Sequence, residues 1–137
     1  MKKVLSSISA VFILSAIAVS ISLQTSANSM TQENGASRAC KLNPDIQRKA
    51  IPQTPHDMSL PSFGRGVIGW GTGMEGAKER LKNITKQDIA AFKAQDLTLN
   101  MVKAWQAFYE NEVRRNDCNP TAPYRAQLMK KIAELWD

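Results

Sequence analysis

The sequence predicts an all-α domain of about four helices, preceded by a Gly-rich segment and a proline-punctuated N-terminal arm. Two observations carry the prediction. Residues 98–116 repeat apolar side chains at three- and four-residue spacing without a Gly or Pro, and no alternating β-branched run or hairpin signal follows Gly76. At 137 residues the chain suffices for one domain.

Residues 1–27 read as a secretory signal peptide. Lys2 and Lys3 precede an apolar run over residues 4–23, and Thr25-Ser26-Ala27 offers a cleavage site. The run approaches a membrane span in length, but six serines dilute it, so cleavage is expected. Uncleaved, this segment would be the chain's one membrane contact. Its removal lowers the formal charge from +6 to +4. That leaves a mildly basic protein, compatible with acidic envelope polymers and with ordinary solubility.

Residues 28–62 form the arm, extended because Pro44, Pro52, Pro55 and Pro61 punctuate it. Asn43-Pro44 can open one short helix through Lys49. Cys40 lies in this arm and Cys118 near the far end of the chain. Two cysteines in an exported protein read as one disulfide, tying the arm to the loop that holds Cys118. No metal or cofactor is expected: His56 is the single histidine, and the cysteines lack zinc-knuckle spacing.

Residues 63–137 form the helical domain. Six glycines fall within residues 63–76, which must turn sharply or admit close approach. Gly64, Gly66, Gly69 and Gly71, Gly73, Gly76 each match G-x-G-x-x-G, but no strand precedes them, and Ala77 stands where a phosphate loop needs lysine. The glycines instead let Val67, Ile68 and Trp70 tuck beneath the helices. Thr72 with Glu75 suggests a capping box for a helix to about Lys82, and Thr85 with Asp88 another for a helix to about Ala94. Thr98 opens the longest helix, with Met101, Val102, Trp105, Phe108, Tyr109 and Val113 on one face and Asn111 on the polar side. A last helix from Thr121 or Ala122 aligns Tyr124, Leu128, Ile132 and Leu135, with Lys130 and Lys131 suiting its C-terminal dipole. The short connection makes the two longest helices antiparallel neighbours.

Three runs carry a resemblance: Gly69-Trp-Gly-Thr-Gly73, Ala104-Trp-Gln-Ala-Phe-Tyr109 and Asn119-Pro-Thr-Ala-Pro-Tyr-Arg-Ala-Gln-Leu-Met129. Over residues 63–136 the chain resembles a small uncharacterised bacterial helical domain family. The resemblance implies a secreted protein or a C-terminal module of a polymorphic-toxin-like protein, and it brings no assigned chemistry.

No recognisable catalytic constellation stands in the sequence. The best-supported function is therefore an exported, disulfide-stapled interaction module, periplasmic or secreted, whose partner is a protein or cell-envelope component. Its expected binding residues are Gly71, Thr72, Gly73, Trp105, Tyr109 and Arg125, which would take an anionic group at an open helix start. The alternative is an antibacterial or cell-wall-acting effector, glycan hydrolase-like, using two of Glu75, Glu79, Glu110 and Glu112. Glu110 and Glu112 stand two residues apart and diverge around a helix. Nucleic acid is not an expected partner, since no metal triad or paired histidines support a nuclease.

The cysteine pairing is directly testable: denatured protein purified without reductant should titrate no free thiol, and two thiols should appear after reduction.

Overall fold

The computed structural model describes residues 40–137. The expected signal peptide at 1–27, and the arm up to residue 39, lie outside the described residues. Five α-helices follow one another: α1 (Leu60–Phe63), α2 (Gly73–Asn83), α3 (Lys86–Lys93), α4 (Leu99–Arg115) and α5 (Ala122–Glu134). A π-helical segment, Gly64–Ile68, continues directly from α1. Among the described residues the one extended pairing is a bridge between Leu42 and Asn116.

The sequence reading has no helix at Leu60–Phe63, because it takes the glycines that follow as a turn. Ser59 starts one: its hydroxyl accepts the Ser62 N–H, and Pro61 sits in the first turn, where its missing N–H costs nothing. The winding ends at Gly69, whose φ of 83° lies in the left-handed region and whose N–H returns to the Gly64 carbonyl. Downstream starts follow the expected chemistry. Thr85 and Asp88 form a reciprocal capping box, and Thr98 accepts the Met101 N–H at 3.2 Å.

α4 and α5 pack against each other, and α2 packs against α5. The core lies between them, filled by Phe63, Ile68, Trp105, Leu128, Met129 and Ile132. Trp105 is wholly buried and touches Phe63, Phe108 and Tyr109 at ring-centroid distances of 5.2, 5.5 and 6.0 Å. Truncating so large a core side chain costs about 3 to 5 kcal/mol. On α5 the buried face runs through Ala122, Ala126, Leu128, Met129 and Ile132, leaving Tyr124 and Leu135 half-buried. Lys131 does not serve its own helix end: its ammonium donates to the carbonyls of Leu81 and Lys82, capping α2.

The arm differs from expectation near its start. No helix forms at Asn43–Lys49. Pro44 and Asp45 make a tight turn instead, with the Asn43 carboxamide accepting the Asp45 N–H at 2.9 Å. Residues 40–137 belong to one compact unit. With few apolar residues to bury, the arm is ordered by polar contacts to α4. Cys40 is disulfide-bonded to Cys118, and the Asn43 N–H donates to the Arg115 carbonyl at 2.8 Å. The Lys49 N–H donates to Asn111 Oδ1 at 3.1 Å, and Trp105 Nε1 donates to the Gln53 carbonyl at 3.0 Å. Pro55 is fully buried. Asn111 is thus buried rather than on a solvated face, because it supplies the arm's backbone with an acceptor.

Glu112 completes the latch. It is 4% exposed and accepts two hydrogen bonds from Arg115, at 2.9 and 3.0 Å, with Arg48 of the arm 3.5 Å away. The Arg115 hydrogen bonds, foremost, hold its carboxyl below the ordinary 4.5, against the opposing effect of burial. A folded-state value below the unfolded one stabilises the fold at pH above the unfolded value. That contribution fades as pH falls through the lower, folded value. Denaturation of Glu112→Gln against the parent protein should therefore show a deficit at pH 7 that shrinks as the solution is acidified below about 4.5.

Candidate functional site

Three places on the fold bear on ligand chemistry: the Gly71–Gly73 turn, the aromatic cleft beside Tyr109, and a hollow beside Phe92.

In the turn, Gly71 and Gly73 have φ of 85° and 68°, conformations that side-chain-bearing residues rarely adopt. The expected capping box does not form. Thr72 is held near the helical region, at φ −96° and ψ 0°, not in the extended conformation a capping side chain uses. Its hydroxyl turns back to donate to the Gly69 carbonyl at 2.8 Å, while Glu75 accepts from Lys78 at 2.7 Å. A Cβ at Gly71 or Gly73 would meet nothing within 4 Å, so this helix start is bare, open backbone.

In the cleft, Trp70 Nε1 donates to the Tyr109 hydroxyl at 2.6 Å, and the Arg125 guanidinium lies 5.9 Å from the Tyr109 ring centroid. Burial, foremost, pushes the Tyr109 phenol above its ordinary 10.0, opposed by the Trp70 hydrogen bond and by Arg125. The structure therefore brings Tyr109 and Arg125 together with Trp105 behind them, and both aromatic side chains are core-packed. Thr72 is linked to them through Trp70, two residues before it. The cleft encloses about 110 Å³ beside Arg48, Trp70, Phe108, Tyr109, Glu112 and Asn119, room for a few water molecules.

The carboxylates weighed for glycan chemistry are dispersed. Glu75 pairs with Lys78, Glu79 with Asn83, Glu110 with Gln106, and Glu112 with Arg115. Among the described residues no group of three or more His, Cys, Asp or Glu side chains could hold a metal ion.

The hollow lies between the π segment and the end of α3 and measures about 540 Å³. Buried Val67 and Phe92 and half-buried Met58 form its apolar bottom, and exposed Asp57, Ser62 and Asp96 stand around it. His56 Nδ1 is 3.0 Å from Asp57 Oδ1, and both side chains are largely exposed.

The family model for Domain of unknown function (DUF4951) matches residues 38–136. The chain belongs to that family. The solved NMR structure of a protein from Acinetobacter baumannii is 53% identical, covering 70% of this chain and 90% of that one with a TM-score of 0.59. None of the curated proteins matches. The DUF4951 match takes in the arm from residue 38 and both cysteines, wider than the resemblance over 63–136.

Asp57, Gly66 and Asp96 of this DUF4951 domain are not among the binding residues expected from the sequence, where Gly66 enters only through its glycine repeat. A signal for Asp96 was available. α3 is followed by no glycine, and Asp96, of a residue type that tolerates the left-handed region, takes the left-handed step before Thr98 at φ 62°.

The glycines of the domain divide by cause. A Cβ on Gly64 would lie 2.0 Å from the Trp70 ring, so Gly64→Ala should displace Trp70 and break its bond to Tyr109, lowering stability and altering tryptophan fluorescence. Gly66, helical and with open space at its Cβ, should behave oppositely: Gly66→Ala should raise stability by about 0.5 to 1 kcal/mol, read from denaturant midpoints.

Proposed function

We propose that this chain is an exported, disulfide-stapled interaction module of the cell envelope, periplasmic or secreted, that meets an anionic group of a protein or envelope component at Gly71, Thr72 and Gly73. The observation behind this reading is the bare turn: the Thr72 side chain is turned back onto Gly69, which leaves the first N–H groups of α2 without a side-chain cap. Arg125 sits on α5, the helix packed beside α2, and adds a fixed positive charge. Tyr109 and Trp105 hold that side of the module from within. Export is supported by the composition of residues 1–27 and by the Cys40–Cys118 bond, which persists in oxidising compartments.

A cell-wall-acting effector, or a role as a toxin-like C-terminal module, has less support. A glycan hydrolase needs two carboxylates flanking one bond, one of them buried enough to stay protonated as the acid. The four glutamates diverge into separate pairs, and the Glu112 carboxyl is held below its ordinary range rather than above it.

Isotope-labelled, oxidised protein titrated with inorganic phosphate and with muramyl-peptide fragments should show saturable shifts at the Gly73 and Met74 amides. Unmoved amides up to millimolar ligand would remove the turn as the contact. An unchanged titration in Arg125→Ala would remove that side chain from it.

A further inference from the structure

We propose that the hollow beside Phe92 is a binding site for an alkylammonium group, with the apolar stem on Val67, Phe92 and Met58 and the ammonium between Asp57 and Asp96. The site shares no residue with the Gly71–Gly73 turn and stands independently of the anion reading.

Size and lining come first. About 540 Å³ lies within the usual range for small-ligand sites, and the apolar bottom with exposed carboxylates around it matches an amphipathic cation. Two residue choices then run against what the backbone alone would favour. Among the described glycines, Gly69, Gly71 and Gly73 are required by positive φ, Gly64 by the Trp70 ring and Gly76 by Thr72. Gly66 has neither reason: it is helical, and a Cβ there would meet nothing within 4 Å. It lines the hollow, so its missing side chain keeps that wall clear. Asp96 is the converse. It is the one described non-glycine residue at positive φ, where glycine would be easiest, and it lines the same hollow. A side chain is thus omitted where the backbone would welcome one and supplied where the backbone would resist one.

The charges around the hollow are consistent with this assignment. Asp57 accepts from His56 through one oxygen, leaving the other free. Arg80, over the Phe92 ring, is occupied: it donates to the Gly66 carbonyl at 2.6 Å and the Val67 carbonyl at 3.3 Å, and lies 5.6 Å from the Phe92 ring centroid, while the Lys93 ammonium is turned to the Trp136 carbonyl and ring. The Arg80 guanidinium stiffens the wall from its own side.

The test is an NMR titration of the oxidised protein with n-hexylamine, using n-hexanol and hexanoate as matched probes. Hexylamine should shift the amides of Ser62, Gly66, Gln95 and Asp96 saturably, and both controls should bind about tenfold more weakly for want of the two charge contacts. Gly66→Leu, which fills the hollow, should abolish the response without lowering the unfolding midpoint. The double variant Asp57→Asn, Asp96→Asn keeps a residue tolerant of the left-handed step and should bind hexylamine and hexanol equally. Because those two positions are exposed, this variant decides the matter even if Gly66→Leu fails to fold. Displacement of hexylamine by a blocked lysine would assign the site to a lysine side chain of a partner, and its failure would assign it to a free amine; either supports the chemistry. Hexanol binding as well as hexylamine, undiminished hexylamine binding in the double variant, or no shift at these four amides would overturn it.

Discussion

The indole of Trp105 is the interaction on which the rest of this structure depends. It is wholly buried, and its ring meets side chains from α1, α4 and the segment after the π-helix at once, through Phe63, Phe108, Tyr109 and Trp70. A buried indole N–H must also find an acceptor, and the acceptor is the Gln53 carbonyl of the arm. One side chain therefore specifies both the apolar packing of the helices and the path of an arm with little apolar surface of its own. Trp70 repeats the pattern on a smaller scale, lying against Gly64 and donating to Tyr109.

Around this centre, polar groups complete what hydrophobic burial leaves undone. Asn111 and Glu112 are buried, and each faces the arm: one accepts a backbone N–H, the other an arginine fork with Arg48 close by. Removing one partner of such a pair strands a buried polar group, which costs more than the pair contributes when intact. The disulfide acts differently, chiefly by restricting the unfolded chain. Latch and staple thus hold the same segment through independent mechanisms.

Much of the helical layout was legible because helix starts are local chemistry. Thr85 with Asp88, and Thr98 before an apolar repeat, need only neighbouring residues to act, and both cap as the sequence implies. Thr72 looked alike and failed, because its conformation is set by the left-handed glycines on either side. α1 was missed for a related reason: a four-residue helix running into a π-helix has too few turns to show a periodicity. On α5 the buried face was read through Tyr124 and Leu135, while the packing buries Ala126 and Met129, since small residues leave weak periodic signals where helices approach closely.

By itself the sequence determined the all-α class, the α2–α5 order, the pairing of the two cysteines and the aromatic face of α4, all consequences of spacing, capping and composition along the chain. Tertiary structure alone decided that Asn111 and Glu112 are interior, that Lys131 caps a different helix, and that Asp57, Gly66 and Asp96 line one hollow. Those facts join residues 30 or more positions apart, or turn on which neighbour a polar group finds once the helices have packed. Local propensity carries no record of such partners. Only the packed core, closed around Trp105, sets the distances that make them.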